Sequence, residues 1–388
     1  MDATIRRLAL LGSTGSIGQN TLDVIAGFAD RFIVHALCAG DNIAKLAEQV
    51  ERWRPKLAVV RTSQGADQLR KLLTDRGVAP LPEIAHGEAG LLAAVAAPTD
   101  LVVAATVGVA ALGAIAAALA GGRTVALANK EALVVAGELL LGIARQSGAQ
   151  LLPIDSEHSA IHQCLRGSRP GEVARLILTA SGGPFLRYSV EQLATVTPDQ
   201  ARRHPTWNMG SRISLDSATL MNKGFEVIEA CHLFSVAESQ VAVLVHPQSI
   251  VHSMVEFSDG STLAQLGTAD MRTPIQYALT YPDRLPSNRK RLNLEEMSRL
   301  DFELPDHGRF PCLGLARQAL QAGGGAPAAL NAADEVAVAA FLQGRIPFTR
   351  IAGVVDETLS QIGAPPIASI EAVLEADARA RRVAQSLL

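Results

Sequence analysis

The chain reads as an α/β protein that opens on a parallel sheet wrapped by helices, passes into a central α+β region and closes in a small helical bundle. Three observations lead there. Residues 1–154 alternate short β-branched runs with longer helical patterns, the mark of successive βαβ units. After Ile154 that alternation stops, and Gly/Ser/Pro-rich stretches separate mixed elements. From Gly314 onward the apolar spacing is helical. At 388 residues the chain exceeds what one core usually supports, about 250–300 residues. We therefore divide it into a dinucleotide-binding domain over 1–154, a catalytic domain over 155–281 with a lid loop at 203–211, a linker over 282–311 and a helical domain over 312–388.

Seven strands are expected in the first domain: Leu8–Leu11, Ile33–Leu37, Leu57–Val60, Glu83–His86, Leu101–Thr106, Thr124–Ala128 and Gln150–Ile154. Helices such as Asn42–Trp53 and Glu131–Gln146 lie between them. Leu101–Ala120 is uncharged and long enough to span a bilayer, but its Ala, Gly and Val content favours insertion only weakly. It divides into a strand and an Ala-rich helix ending at Gly121-Gly122, one buried βα unit. Tyr281–Pro311, with its prolines, charges and weak periodicity, reads as the linker, and Leu330–Leu342 and Ile367–Leu387 as amphipathic helices.

Composition excludes several classes. The 35 basic and 38 acidic residues leave a net charge of -3, and the short basic clusters near Arg289 and Arg379 are interrupted or flanked by acids, so no nucleic-acid surface is expected. Cys38, Cys164, Cys231 and Cys312 stand far apart without CxxC spacing, which argues against a zinc site or a disulfide framework and fits a reducing cytoplasm. Only Leu8–Leu11 follows Arg6-Arg7 as an apolar run, too short for an export signal, and no membrane association is expected.

The strongest motif is Gly12-Ser13-Thr14-Gly15-Ser16-Ile17-Gly18, set between the first strand and a helix beginning near Gln19. Its GxxGxxG spacing varies the usual fingerprint. Glycines allow a tight turn and close backbone approach, and free amides at the helix start hold a pyrophosphate. This position makes the domain Rossmann-like. At the end of the second strand, Gly40-Asp41-Asn42 leaves two readings open: Asp41 leans towards a 2′-hydroxyl and hence NAD, or serves as a helix N-cap.

Asp155-Ser156-Glu157-His158 follows a strand end, where open α/β sheets bind ligands. Two carboxylates there could share a hard cation such as Mg²⁺ or Mn²⁺, with Glu226 of Asn222-Lys223-Gly224-Phe225-Glu226 as third ligand. Equally, Asp155 could cap a helix with Glu157 in its first turn. His158 and His162 lack the HExxH glutamate and read as solvent-facing or satisfied in the fold, and His246 and His252, flanking an apolar strand pattern, read as structural. Ser181-Gly182-Gly183, His204, Ser217 and Asn222-Lys223 supply neutral and cationic donors suited to a phosphate dianion. Trp207, between Pro205 and Gly210, suits a lid that closes over substrate, or a buried anchor for that loop.

With Leu127-Ala128-Asn129-Lys130-Glu131, Pro153–Ser159, Thr179–Phe185, His204–Gly210 and Asp216–Glu226, the glycine turn makes six motifs in order. The sequence resembles the 1-deoxy-D-xylulose 5-phosphate reductoisomerase family end to end. The resemblance implies that Asp155, Glu157 and Glu226 bind Mg²⁺ or Mn²⁺, and that Lys130, Ser156, Glu157, Ser181, His204, Trp207, Ser217, Asn222, Lys223 and Glu226 meet a small phosphorylated ketose. It also implies catalytic roles for Lys130, Glu157, Glu226 and His204. NADPH would touch Thr14, Gly15, Ser16, Ile17, Gly40, Asp41, Asn42, Asn129, Glu131 and Gly210, in a homodimer. One departure stands out: family members often carry a basic residue where this chain has Asp41. An aspartate-semialdehyde-type dehydrogenase has a similar turn but needs a nucleophilic cysteine, and neither Cys164 nor Cys231 has the loop context for one. A nucleotide-sensing module without turnover is the non-enzymatic alternative, and metal dependence separates it from the reductoisomerase.

Overall fold

The computed structural model describes residues 5–96, 98–169, 171–202, 207 and 210–388. Contacts divide the chain into two compact units. Unit 1 holds Met1–Ala132, Leu140–Asp155 and Met271–Pro286; unit 2 holds Leu133–Leu139, Ser156–Asp270 and Ser287–Leu388. The contiguous boundaries expected above, 1–154 and 155–281, do not include this return of 271–286 to the first unit.

Through the first unit the elements run β1 (Arg6–Leu11), α1 (Ser16–Ala26), β2 (Phe32–Cys38), α2 (Ile43–Trp53), β3 (Leu57–Val60), α3 (Ser63–Asp75) and β4 (Glu83–His86). Then come α4 (Gly87–Val95), β5 (Leu101–Ala104), α5 (Leu112–Ala120), β6 (Thr124–Leu127), α6 (Lys130–Ser147) and β7 (Leu151–Pro153). All seven expected strands form one sheet of order β4-β3-β2-β1-β5-β6-β7, every pair parallel. The strand order reverses between β1 and β5, and ligands of such sheets bind beyond the strand ends at that reversal. The core explains the near-continuous apolar strands: Leu8, Leu10, Leu37, Val60, Leu101 and Val103 are buried among Leu46, Leu69 and Leu73 of the covering helices. Leu101–Ala120 forms β5 and α5, and no described helix is long and apolar enough to cross a membrane.

Unit 2 contains α7 (Ser156–Cys164), β8 (Val173–Ala180), α8 (Val190–Leu193), α9 (Pro198–Ala201), α10 (Ser211–Thr219), α11 (Met221–Phe234), β9 (Val241–Val245), β10 (Val251–Phe257) and β11 (Thr262–Leu266). Its sheet, ordered β11-β10-β8-β9, is antiparallel except for the β8–β9 pair. Buried Leu220 takes a left-handed φ of 62° between α10 and α11. That conformation costs about 1–2 kcal/mol in a non-glycine residue, and it redirects the chain immediately before Asn222 and Lys223.

The next helix, α12 (Arg272–Thr280), lies in the segment returned to unit 1, where Ile275 and Leu279 join the core. The stretch expected as a linker has no helix, but from Ser287 onward it is pinned within unit 2: Glu303 bridges Val245 and pairs with Arg187, and His246 Nδ1–H donates to the Asp301 carbonyl at 2.7 Å. A bundle of α13 (Cys312–Ala322), α14 (Ala326–Leu342), α15 (Arg350–Ile362) and α16 (Ile370–Ser386) ends the chain. One expectation is corrected here. α14 is not amphipathic but buried on nearly every face, because its alanines let the neighbouring helices close around it.

Candidate functional site

The glycine turn is built for close backbone approach. Gly12 has φ 86°, and a Cβ there would stand 2.4 Å from the Ala105 carbonyl oxygen; one on Gly18 would stand 2.3 Å from the Gly12 oxygen. The Gly12 and Ser13 amides donate to the Cys38 carbonyl, and buried Gln49 Nε2–H donates to the Ser13 oxygen at 2.8 Å, which ties the turn to β2 and α2. The N-cap of α1 is Gly15, which offers no side chain to the first-turn amides. An acceptor-rich anion fits there, with exposed Gly15 and Ser16 and half-buried Thr14 and Ile17 around it. The helix starts at Ser16, one turn earlier than expected, since Gly15 takes the cap position itself. Asn42 caps α2 through Oδ1 and the Lys45 amide at 3.2 Å, so the cap role considered for Asp41 falls to Asn42.

At the end of β6, Asn129 caps α6 by accepting from the Ala132 amide at 3.0 Å. Its Nδ2 donates to the carbonyls of Thr106 and Gly108, and Glu131 accepts from the Gly108 amide at 2.9 Å and from Asn129. These two buried side chains thus shape the loop after β5 from within unit 1; strand β5 ends at Ala104 because residues 106–108 turn away to meet them. Lys130, between the two, directs Nζ to Asp155 Oδ2 at 3.3 Å.

In unit 2 the start of α7 carries Ser156, whose hydroxyl donates to Glu157 Oε2 at 2.7 Å. Glu226 on α11 is 1% exposed and accepts from Asn222 and Lys223, one turn earlier on the same helix. Lys223 Nζ also lies 3.8 Å from Glu157 Oε1. Asp155, joined to Ser156 by one peptide bond, completes the group: Asp155, Glu157 and Glu226 each place a carboxylate oxygen within 4.8 Å of the others. An octahedral ion with oxygen ligands at about 2.0–2.1 Å needs ligand atoms roughly 3–4 Å apart, so only small side-chain adjustment separates this arrangement from a coordination sphere. Three carboxylates supply hard oxygen donors, which are what Mg²⁺ or Mn²⁺ takes.

His158, expected to be either solvent-facing or satisfied within the fold, takes the second course. It is fully buried, and its Nε2–H donates to the Glu226 backbone carbonyl at 2.8 Å, with Nδ1 facing Glu229 Oε2 at 3.5 Å. It thereby fixes α11 at the level of Glu226. The signal was its place three residues after Asp155, one helical turn along.

Of the donors proposed for a phosphate, Ser181 and Ser217 bring their hydroxyl oxygens to 3.4 Å, and Ser181 Oγ accepts from the Gly183 amide. Gly182 and Gly183 both have positive φ, and a Cβ on Gly183 would meet the Ser217 carbonyl oxygen at 2.7 Å, so glycine lets the two segments touch. Half-buried Trp207 packs its ring 6.1 Å from that of His252, and exposed Gly210 caps α10. His204 and the rest of the expected lid, apart from Trp207, Gly210 and the Ser211 backbone, lie outside the described residues. None of the four cysteines, all among the described residues, forms a disulfide; burial raises the Cys38 and Cys312 thiols well above their ordinary value and pushes Cys231 up to about 11, the opposite of what a nucleophile requires.

Family models of 1-deoxy-D-xylulose 5-phosphate reductoisomerase match residues 8–137, of its C-terminal domain residues 151–234, and of the DXP reductoisomerase C-terminal domain residues 266–383. A 1-deoxy-D-xylulose 5-phosphate reductoisomerase of Cupriavidus necator is 54% identical over 385 residues, covering 98% of each chain. One from Rhodospirillum centenum is 52% identical over 99% of this chain and 94% of its own. Among solved structures, the Zymomonas mobilis enzyme in complex with NADPH superposes with a TM-score of 0.92 at 45% identity, over 99% of both chains. A DOX-P reductoisomerase in complex with NADPH, fosmidomycin and magnesium gives 0.94 at 42% identity, over 99% of this chain and 98% of that one.

Proposed function

Since the chain belongs to the 1-deoxy-D-xylulose 5-phosphate reductoisomerase family, a family of oxidoreductases, we propose that it converts 1-deoxy-D-xylulose 5-phosphate into 2-C-methyl-D-erythritol 4-phosphate with NADPH and Mg²⁺ or Mn²⁺. The observation that carries this reading is the approach of the Asp155, Glu157 and Glu226 oxygens to within 4.8 Å of one another. Asp155, Glu157 and Glu226 would hold the ion, and the turn from Thr14 to Ile17, with Gly40–Asn42, Asn129, Glu131 and Gly210, would hold the dinucleotide. When bound, the ion supplies Lewis acidity to the substrate carbonyl and its neighbouring hydroxyl, and the nicotinamide supplies the hydride.

The chain's own groups do the rest. Ser181, Ser217, Asn222 and Lys223 bind and orient the phosphate, at a distance from the reacting carbons, so that binding energy at one end positions the other. Lys130 Nζ, held by Asp155, donates towards substrate oxygen on which charge builds as a carbon–carbon bond breaks and re-forms. Ser156 keeps Glu157 in one rotamer. Trp207 covers the bound substrate and excludes water, which strengthens each of these interactions; His204, which the family resemblance places in the same lid, contributes a further donor. The enzyme serves isoprenoid precursor synthesis in the cytoplasm as a homodimer. The test is a paired turnover assay of deoxyxylulose phosphate with NADPH and with NADH, before and after chelation. Oxidation of NADPH that stops on chelation and returns with Mg²⁺ or Mn²⁺ is expected. Turnover indifferent to chelation removes the metal mechanism.

A further inference from the structure

The loop after β2 puts an acid, Asp41, where a dinucleotide site reads the adenine ribose, and an acid there suits a 2′-hydroxyl while a 2′-phosphate calls for a cation. Resting on the reading above that the cofactor is NADPH, we infer that Arg61, just beyond β3, is the specificity-determining residue that receives the 2′-phosphate in this chain. The sheet places it there. Cys38 of β2 pairs with Val59 of β3, and the Ala39 amide donates to the Val59 carbonyl at 2.9 Å, so the two strand ends emerge side by side. Arg61 Nη2 lies 3.3 Å from Asp41 Oδ2. Gly40 makes room for it: a Cβ at that position would stand 3.0 Å from the same nitrogen.

The pairing is of the exchangeable kind. Arg61 is 68% exposed and Asp41 73%, and an ion pair so open to water holds its partners weakly. A phosphate dianion, able to accept two parallel N–H bonds from the guanidinium fork, outcompetes a single carboxylate for it. Asp41 in turn keeps the guanidinium folded over the loop where the phosphate arrives, and the side chain that would otherwise favour NADH is occupied by a cation. Thr62 accepts from the Gly65 amide at 3.1 Å as the N-cap of α3, which fixes the backbone next to Arg61. The nearby Lys45 points to Glu48 at 3.1 Å, along its own helix.

Calorimetric titration of the full chain tests this without turnover, using NADPH, NADH, 2′,5′-ADP and 5′-AMP as ligands. In the wild type the two 2′-phosphorylated ligands bind more tightly than their counterparts. Arg61→Gln weakens both by about 10- to 100-fold, the loss of a charge-assisted hydrogen bond, and leaves NADH and 5′-AMP within about twofold. Arg61→Lys restores part of the difference, and Asp41→Asn, which removes an anion beside the phosphate, tightens NADPH by roughly severalfold. An Arg61→Gln protein that melts like the wild type and keeps its preference for NADPH overturns the assignment and leaves the NADPH reading standing. A wild type indifferent to the 2′-phosphate overturns that reading and this inference with it.

Discussion

Replacing Glu226 by Gln keeps the side chain's shape and hydrogen-bonding reach and removes one of three anionic oxygens. Glu226 is almost fully buried and takes hydrogen bonds from Asn222 and Lys223, while Lys223 retains Glu157 at 3.8 Å. Lys223 therefore keeps a counter-charge, and the crowding of three carboxylates within 4.8 Å is eased, so the metal-free variant should melt close to the wild type. The metal-bound state should not. Losing a charged ligand is expected to weaken the ion by about 100-fold, roughly 2.7 kcal/mol. At an ion concentration 100 times the wild-type dissociation constant, binding stabilises the wild type by about 2.7 kcal/mol; in the variant the same concentration equals the dissociation constant and contributes only about 0.4 kcal/mol. With about 2–4 °C per kcal/mol for domains of this size, the metal-induced rise in Tm falls from about 5–11 °C to about 1–2 °C. Scanning calorimetry with and without Mg²⁺ or Mn²⁺ measures it, and turnover should fall by about 100- to 1,000-fold in parallel. An unchanged metal-induced rise in the variant would remove Glu226 from the ion's coordination.

Two further perturbations probe the scaffold. Gly18→Ala places a Cβ 2.3 Å from the Gly12 carbonyl oxygen and 2.6 Å from Ser13, all backbone, so the turn must open; NADPH affinity by calorimetry should drop at least about 10-fold, and unchanged affinity means the turn does not hold the pyrophosphate. Asp334 on α14 is fully buried, and burial, with Asp216 beside it, raises its carboxyl well above the usual range despite Arg212. A folded-state value raised above the unfolded one, near 3.8, means the stability of the protonated form is present below that value and lost as pH rises through the folded value. Asp334→Asn mimics the protonated form, so its melting temperature should gain on the wild type from about pH 5 to about pH 8. An equal deficit at every pH points instead to a structural need for the carboxylate.

Sequence periodicity was enough for the seven strands, the glycine turn and the helical C-terminus, because alternation of period 2 or 3.6 and the steric demands of glycine act over a few neighbouring residues. Asp155, Glu157 and Glu226 were legible as hard oxygen donors; their approach to one another was not, since it depends on how α11 is set by the left-handed Leu220 and by the bond from His158 to the Glu226 carbonyl. The burial of α14 on nearly every face was not legible in the sequence because alanine-rich segments carry little amphipathic contrast. Asp41 shows the difference most clearly. Taken by itself in the chain it favours one cofactor, and only the hydrogen-bonded registry of β2 and β3 brings Arg61 alongside to offset its charge. Local pattern decides which elements form and which chemistries are on offer. Packing between remote segments decides which of those groups meet, because distance across a folded core bears no simple relation to separation along the chain.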